Sequence, residues 1–370
     1  MRKTTTVALV GIVAVSVALT GCGRGDTSGG SSADPSEGAA AEGFAADATI
    51  GVALPDRTSE NWVLAGDLFT NGLDEAGFEG NVQYAGSSNS VGDQQQQIQT
   101  MIDGGAEVIV IGAADTNQLA TQLQAADAAG ITVIAYDRLI QNSELVDYYV
   151  AFDNFHVGEL QAESLLQGLE ERYGDQESWN IELFSGSPDD SNSAVFFEGA
   201  MSVLQPRIDD GTLTVVSGQS TVQQTSTEDW AAENAQNRMD TILQSSYQGQ
   251  ELHGVLSPND NLARAILTSV QNDGREVPVV TGQDSEVESV RAIVAGTQYS
   301  TIYKDTRALV AATIEMVQAL QAGEEPETTA TSDNGAIEVP SNLLEPVIVT
   351  QENAAEAYAD NPDLAPLTEG

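Results

Sequence analysis

Seven places in this 370-residue chain put Asp, Asn, Arg or Lys directly after a short apolar run of strand character. They are Asp115, Asp137-Arg138, Asp153-Asn154, the 187–192 stretch ending at Asn192, Asn259-Asp260, Asp284 and Lys304. Trp62 and Trp230 stand at or near the starts of helix-patterned segments. These residue types together suit a polyol. Hydroxyls both donate and accept, so they need carboxylate, amide and guanidinium partners, while the apolar C–H face of a pyranose stacks on an aromatic ring.

Each residue also has a plainer reading. Asp or Asn just before a helix is what an N-cap requires, which applies to Asp115, Asp153 and Asp260. It applies less to Asp137-Arg138, where two opposite charges follow a wholly apolar strand. Trp62 and Trp230 have a core reading beside the ligand one, and Trp179, in a polar stretch before a strand, reads as packing. Lys304 stands apart because Lys3 and Lys304 are the only lysines in the chain. A lysine kept in a sequence that otherwise avoids it suggests a specific donor, its three N–H groups suited to a hydroxyl or ring oxygen.

The segments between these positions must hold them in place. Strand runs at 49–54, 81–85, 107–111 and 131–136 alternate with helix-period stretches at 61–76 and 93–102 and with a further helix bearing Leu119, Leu123 and Ala126 on one face. A second series has strands at 148–152, 181–184, 214–216, 255–257, 277–281 and 299–303, with helices at 157–172, 230–243, 262–272 and 307–322. Repeated βα units predict an α/β fold: two doubly wound parallel-sheet lobes with a cleft between them. Ligands of open α/β sheets bind at the carboxyl ends of the strands, where the polar residues above fall.

Composition closes off other classes. Thirteen Lys and Arg against 56 Asp and Glu give a net charge of −43, which repels phosphate backbones and anionic lipid surfaces, so nucleic acid is not a partner. One Cys and two His leave no donor set for a cysteine-based zinc site or a multi-histidine metal site. There is no phosphate-binding Gly-x-x-x-x-Gly-Lys-Ser/Thr loop and no Gly-x-Gly-x-x-Gly fingerprint after the first strand, and no cofactor is expected. Acidic residues such as Glu159, Glu163, Glu170 and Glu171 are scattered along helices as on a solvated face, which singles out no glycosidase-type acid pair.

The first residues form a leader: Arg2 and Lys3, an apolar run from 7 to 19, then Leu19-Thr20-Gly21-Cys22. The run is too short to span a membrane, and its ending resembles a bacterial lipobox, which implies cleavage before Cys22 and lipidation of that residue. An ordinary secretory signal with an incidental Cys is the other reading. The Gly-, Ser-, Ala- and acid-rich segment that follows is a solvated tether. The expected organisation is a signal peptide over 1–21, a lipidated Cys and linker over 22–47, and a folded part outside the cytoplasmic membrane, attached only through Cys22. Cleavage removes Arg2 and Lys3, leaving 11 basic against 56 acidic residues, or −45. Charge of that size keeps a tethered protein soluble.

Several stretches resemble a known family, the periplasmic sugar-binding proteins of ABC importers, in the xylose- and multiple-monosaccharide-binding branch. They are Tyr136-Asp137-Arg138-Leu139-Ile140, Phe152-Asp153-Asn154 with Val157-Gly158-Glu159-Leu160-Gln161-Ala162, Gly186-Ser187-Pro188-Asp189-Asp190, Gly282-Gln283-Asp284 and Ala295-Gly296-Thr297-Gln298. The resemblance runs from about residue 49 to 346. It implies three crossovers between lobes formed by 48–150 plus 304–333 and by 151–303 plus 334–370. It implies a pyranose walled by Trp62 and Trp230 and bound by Asp137 and Arg138 from the first lobe and Asn192, Asn259 and Asp284 from the second. Lys304 lies at the crossover, and Asp115 and Asp153 join the set. Relatives often carry Arg before the first tryptophan, where this chain has Asn61, which leaves the choice of aldose open.

The implied function is capture of a monosaccharide such as xylose, glucose, galactose or arabinose by lobe closure, without catalysis. Delivery would be to a membrane permease and its ATPase by a monomeric binding protein. A module presenting sugar to a receptor kinase differs only in partner, and a carbohydrate-active enzyme is the remaining alternative.

Overall fold

A computed structural model describes residues 43–86 and 90–369; the leader, Cys22 and most of the tether lie outside the described residues. Among the described residues thirteen strands form three sheets. β1 (Thr49–Leu54), β2 (Glu79–Tyr84), β3 (Val108–Ile111), β4 (Thr132–Tyr136) and β5 (Tyr148–Phe152) are mutually parallel in the order β5-β4-β3-β1-β2. β6 (Trp179–Leu183), β7 (Leu213–Val215), β8 (Gly254–Leu256) and β9 (Val279–Val280) form a second parallel sheet in the order β7-β6-β8-β9. β10 (Ser300–Tyr303) and β13 (Val347–Thr350) make an antiparallel ribbon, and the hairpin β11 (Ala330–Asp333) and β12 (Glu338–Leu344) extends the first sheet beside β5.

Both faces of the central strands of the first sheet are buried, and the period-two rule divides their residues between two cores. Ile109, Ile111, Val133 and Ala135 face one core, while Val108, Val110, Ile134 and Tyr136 face the other. Burial on both sides is why β3 and β4 read as unbroken apolar runs. Val255 and Val280 likewise face one core of the second sheet, with Leu256 and Val279 on the opposite face.

The pairing corrects the expected lobe boundaries. All five residues of β5 lie in the first sheet, so that crossover follows Phe152 rather than falling between 150 and 151. β12 is parallel to β5 from Ser341 to Leu344, so the first lobe continues to Leu344 instead of ending at 333. Pro340 hides this strand in the sequence, because a proline inside a run argues against a central strand. It is tolerated here because Pro340 pairs only toward β11, and the inner register begins one residue later. The helix Thr306–Gln321 packs on the first sheet and seats Leu309, Val310, Met316 and Val317 in its core.

Helices Asn154–Tyr173 and Ser191–Asp209 approach backbone to backbone in the second lobe and place the cleft end of the latter. A Cβ on Gly158 would overlap the Phe196 carbonyl and stand 2.8 Å from the Ala200 nitrogen; one on Gly199 would overlap the Phe155 carbonyl. Glycine is needed at both for lack of room. Gly158→Ala is expected to cost about 1–3 kcal/mol, the usual range for overpacking a fitted interface. Urea unfolding would measure it, and an unchanged midpoint would show that the helices separate freely.

Candidate functional site

A cavity of about 610 Å³ lies between the carboxyl ends of the two parallel sheets. It covers the reversal of strand order in each sheet, between β1 and β3 and between β6 and β8, where open α/β folds leave a crevice. Nine of the eleven expected ligand residues line it: Asn61, Trp62, Asp137 and Arg138 from the first lobe, Asn192, Trp230, Asn259 and Asp284 from the second, and Lys304 at the crossover. Asp115 and Asp153 do not, and both prove to be backbone caps. The Asp115 carboxylate accepts the Asn117 N–H at 2.8 Å in a turn, and that of Asp153 accepts the His156 N–H at 3.1 Å as N-cap of its helix.

The tryptophans line the cavity from different lobes, each leaning on a strand-end glycine. The Trp62 ring sits so close to Gly112 that a Cβ there would stand 2.9 Å from it, and it meets buried Tyr136 edge-on at 6.0 Å. Trp230 lies against Gly186, where any Cβ would overlap its ring. The helix expected from 230 begins only at Ala232, because Asp229 and Trp230 both have left-handed backbone (φ 56° and 51°). That turn aims the indole into the cleft. Asp137 (φ 62°) and Asp284 (φ 94°) share this uncommon conformation, so strained backbone gathers at the cavity wall.

The lobes touch across the cleft through residues next to these walls. Arg138 stacks over Trp62 at 5.4 Å, donates to the Ala113 carbonyl at 3.0 Å and brings Nε to 2.8 Å from Asp190 Oδ2 of the other lobe. That last approach is a charge contact without aligned hydrogen-bond geometry. The same Asp190 oxygen accepts the Trp230 indole N–H at 3.2 Å, and its partner oxygen caps the helix at the Asn192 N–H (2.9 Å). The Asn192 amide donates back to the Asp137 carbonyl at 2.9 Å, Thr116 N–H to the Asp189 carbonyl at 3.1 Å, and Ser191 Oγ to the Leu139 carbonyl at 2.9 Å. Burial pushes the Asp190 carboxyl up against the pull of Arg138, and for Arg138 the surrounding carboxylates outweigh burial and raise its pKa.

The remaining polar groups are held ready from behind. Lys304 Nζ meets Asp284 Oδ1 at 3.0 Å and lies over the Phe196 ring at 5.5 Å. Burial works against its ammonium, but Asp284, Asp137 and Asp190 prevail and hold its pKa above the usual lysine value. Asn259 spends its carbonyl oxygen capping the Leu262 N–H at 3.0 Å, which leaves its amide N–H groups for the cavity. The Asp137 carboxylate has no hydrogen bond or ion pair among the described residues, so its oxygens are available. Asp260, completely buried, accepts from Glu286 N–H, Gln298 Nε2 and Thr301 Oγ1, and so fixes the Gly282-Gln283-Asp284 loop.

Sequence reasoning missed several lining residues. Asp190 and Phe196 carry no more signal than a helix cap and a core aromatic, although Asp190 stood in a recognised stretch. Arg264 and Glu286, an ion pair lining the cavity, gave no such signal: Arg264 lies in the 262–272 helix pattern, and Glu286 two residues beyond the strand-end Asp284. Among the described residues no group of three or more His, Cys, Asp or Glu could hold a metal ion, and no helix is long and apolar enough to cross a membrane.

Two α/β lobes joined by three crossovers and closing over a polar, tryptophan-walled cavity define a solute-binding protein. Residues 50–325 match the model of the periplasmic binding protein domain, and the chain belongs to that family. It is 47% identical over 321 residues to the multiple sugar-binding periplasmic receptor ChvE of Rhizobium radiobacter, covering 85% of this chain and 90% of that one. It is 33% identical over 305 residues to the D-xylose-binding periplasmic protein of Escherichia coli, covering 82% and 87%. An ABC transporter solute-binding protein from Clostridium phytofermentans, solved with bound β-D-glucose, superposes with a TM-score of 0.81 at 38% identity, covering 87% of this chain and all of that one.

Asp260 supplies a pH test. Burial, with Asp284 and Glu286 close by, pushes its carboxyl well above the usual carboxylate range. The folded state then holds a proton that the unfolded chain releases above about pH 4. Its stabilising effect is full below that pH and lost as pH rises through the raised pKa. Melting temperature is therefore expected to fall from pH 5 to pH 8, and Asp260→Asn to flatten that fall. Calorimetric scans with equal slopes in both proteins would contradict it.

Proposed function

We propose that this protein is a lipid-anchored, extracytoplasmic solute-binding protein that captures an aldose between its lobes and delivers it to an ABC importer. The observation that carries the reading is the pairing of two tryptophans, one from each lobe, with carboxylate, amide and ammonium groups in one cavity at the strand ends of both lobes. The rings take the C–H faces of a pyranose, and Asp137, Asn192, Asn259, Asp284 and Lys304 take its hydroxyls. Contacts from both lobes exist together only when the cleft is closed, so a sugar that makes them shifts the equilibrium toward closure.

The roles of these relatives support this reading: a multiple sugar-binding receptor, a D-xylose-binding protein, and a transporter solute-binding protein holding glucose. The partner is a membrane permease with its ATPase, recognising the closed form of a monomer. Attachment is through Cys22, in the segment outside the described residues. The protein holds its ligand unchanged and turns nothing over.

Thermal-shift measurements with D-xylose, D-glucose, D-galactose and L-arabinose test the proposal. At a hundredfold excess over Kd a bound sugar stabilises by about 2.7 kcal/mol, and a clear rise in Tm is expected for at least one aldose. Flat curves with all four would overturn the aldose reading. Asp284→Ala is expected to abolish the rise, and an unchanged affinity in that variant would remove Asp284 from the site.

A further inference from the structure

The cavity is lined by three cations, and each is already matched within the protein. Arg138 faces Asp190 at 2.8 Å and Lys304 faces Asp284 at 3.0 Å, while Arg264 pairs with Glu286. These side chains are withdrawn from water: 11% and 4% exposed in the first pair, 11% and 17% in the second, 31% and 6% in the third. Eight carboxylates line the same space, so the wall carries a formal charge of −5 among the described residues. Asp137, Asp189 and Asp229 contribute acid with no ion-pair partner there. Asn61, where the first helix enters the cavity, brings an amide and adds no positive charge.

Resting on the aldose reading above, we infer that the cleft sorts sugars by charge. It accepts neutral and ammonium-bearing pyranoses and rejects those whose hydroxymethyl group is oxidised to a carboxylate. A uronate could gain a cation only by displacing the acid that already holds it, and the displaced carboxylate would be left desolvated and unpaired. A neutral hydroxyl asks for no such exchange, because it donates to a paired carboxylate and accepts from a paired ammonium together. The field of the wall adds repulsion for an incoming anion, and low-dielectric walls keep that repulsion strong.

Calorimetric titration of the full-length protein at pH 7 decides the matter, using whichever of D-glucose and D-galactose binds better, its uronate and its 6-amino-6-deoxy analogue. In 20 mM NaCl the uronate is expected to bind at least 100-fold more weakly than the parent hexose, and the amino sugar at least tenfold more tightly than the uronate. In 500 mM NaCl the gap between hexose and uronate narrows, since salt screens the field. Glu286→Gln, which keeps a hydrogen-bond acceptor beside Arg264 but removes the competing charge, is expected to cut the hexose-to-uronate ratio at least tenfold. A wild-type uronate affinity within tenfold of the hexose, an amino sugar rejected more strongly than the uronate, or a ratio unmoved by Glu286→Gln overturns the charge sorting while leaving the aldose reading in place. Failure of every neutral aldose to bind overturns the reading itself and this inference with it.

Discussion

The contact between Arg138 and Asp190 is the point on which the geometry of the cleft depends. Each ion is almost fully withdrawn from water, and each lies in a different lobe. Breaking such a pair by removing one partner costs about 3–5 kcal/mol, because the survivor is left as an uncompensated buried charge. Replacing both by well-packed apolar groups is often neutral, so the value of the pair lies in what it orients. Arg138 carries Trp62 on its guanidinium face, and Asp190 holds the indole of Trp230 and the first turn of the Ser191–Asp209 helix. One ionic contact thus sets the spacing of both aromatic walls. It forms only when the lobes meet.

Everything else places those two residues. Arg138 follows β4, the apolar strand buried on both faces, so its backbone position is settled by the core of the first lobe. Asp190 caps a helix whose packing is set by the Gly158 and Gly199 contacts. The second-lobe loop bearing Asp284 is fastened by Asp260, whose three donors come from the two strand-end segments flanking it. Polar residues at the cavity are thus held from behind by hydrogen bonds and ion pairs, and such preorganisation lets a binding site distinguish hydroxyl arrangements without a large ordering cost.

Much of this was legible in the sequence. β1 and β5 were read to the residue, because a buried parallel strand is a short apolar run bounded by polar groups. The polar residues after the strands pointed to the cleft for the same topological reason, and Asp137, Arg138, Asn192, Asn259, Asp284 and Lys304 reach it. What was not legible had local physical causes. Asp115 and Asp153 carry the same chemistry as ligand carboxylates but spend it on backbone N–H groups, a difference of side-chain direction that spacing does not encode. The β12 strand was hidden by Pro340, and the turn at Trp230 by left-handed backbone in residues that are not glycine. Arg264 and Glu286 meet only because two separate helix starts converge.

In the proposed function sugar is held by closing two lobes on it, with Arg138 and Asp190 meeting as they close. Small-angle X-ray scattering on the full-length protein, with and without a saturating aldose, addresses it most directly. A smaller radius of gyration is expected in the presence of sugar, as the two lobes draw together around the cleft. A sugar that binds at saturation and leaves the radius of gyration unchanged would contradict it.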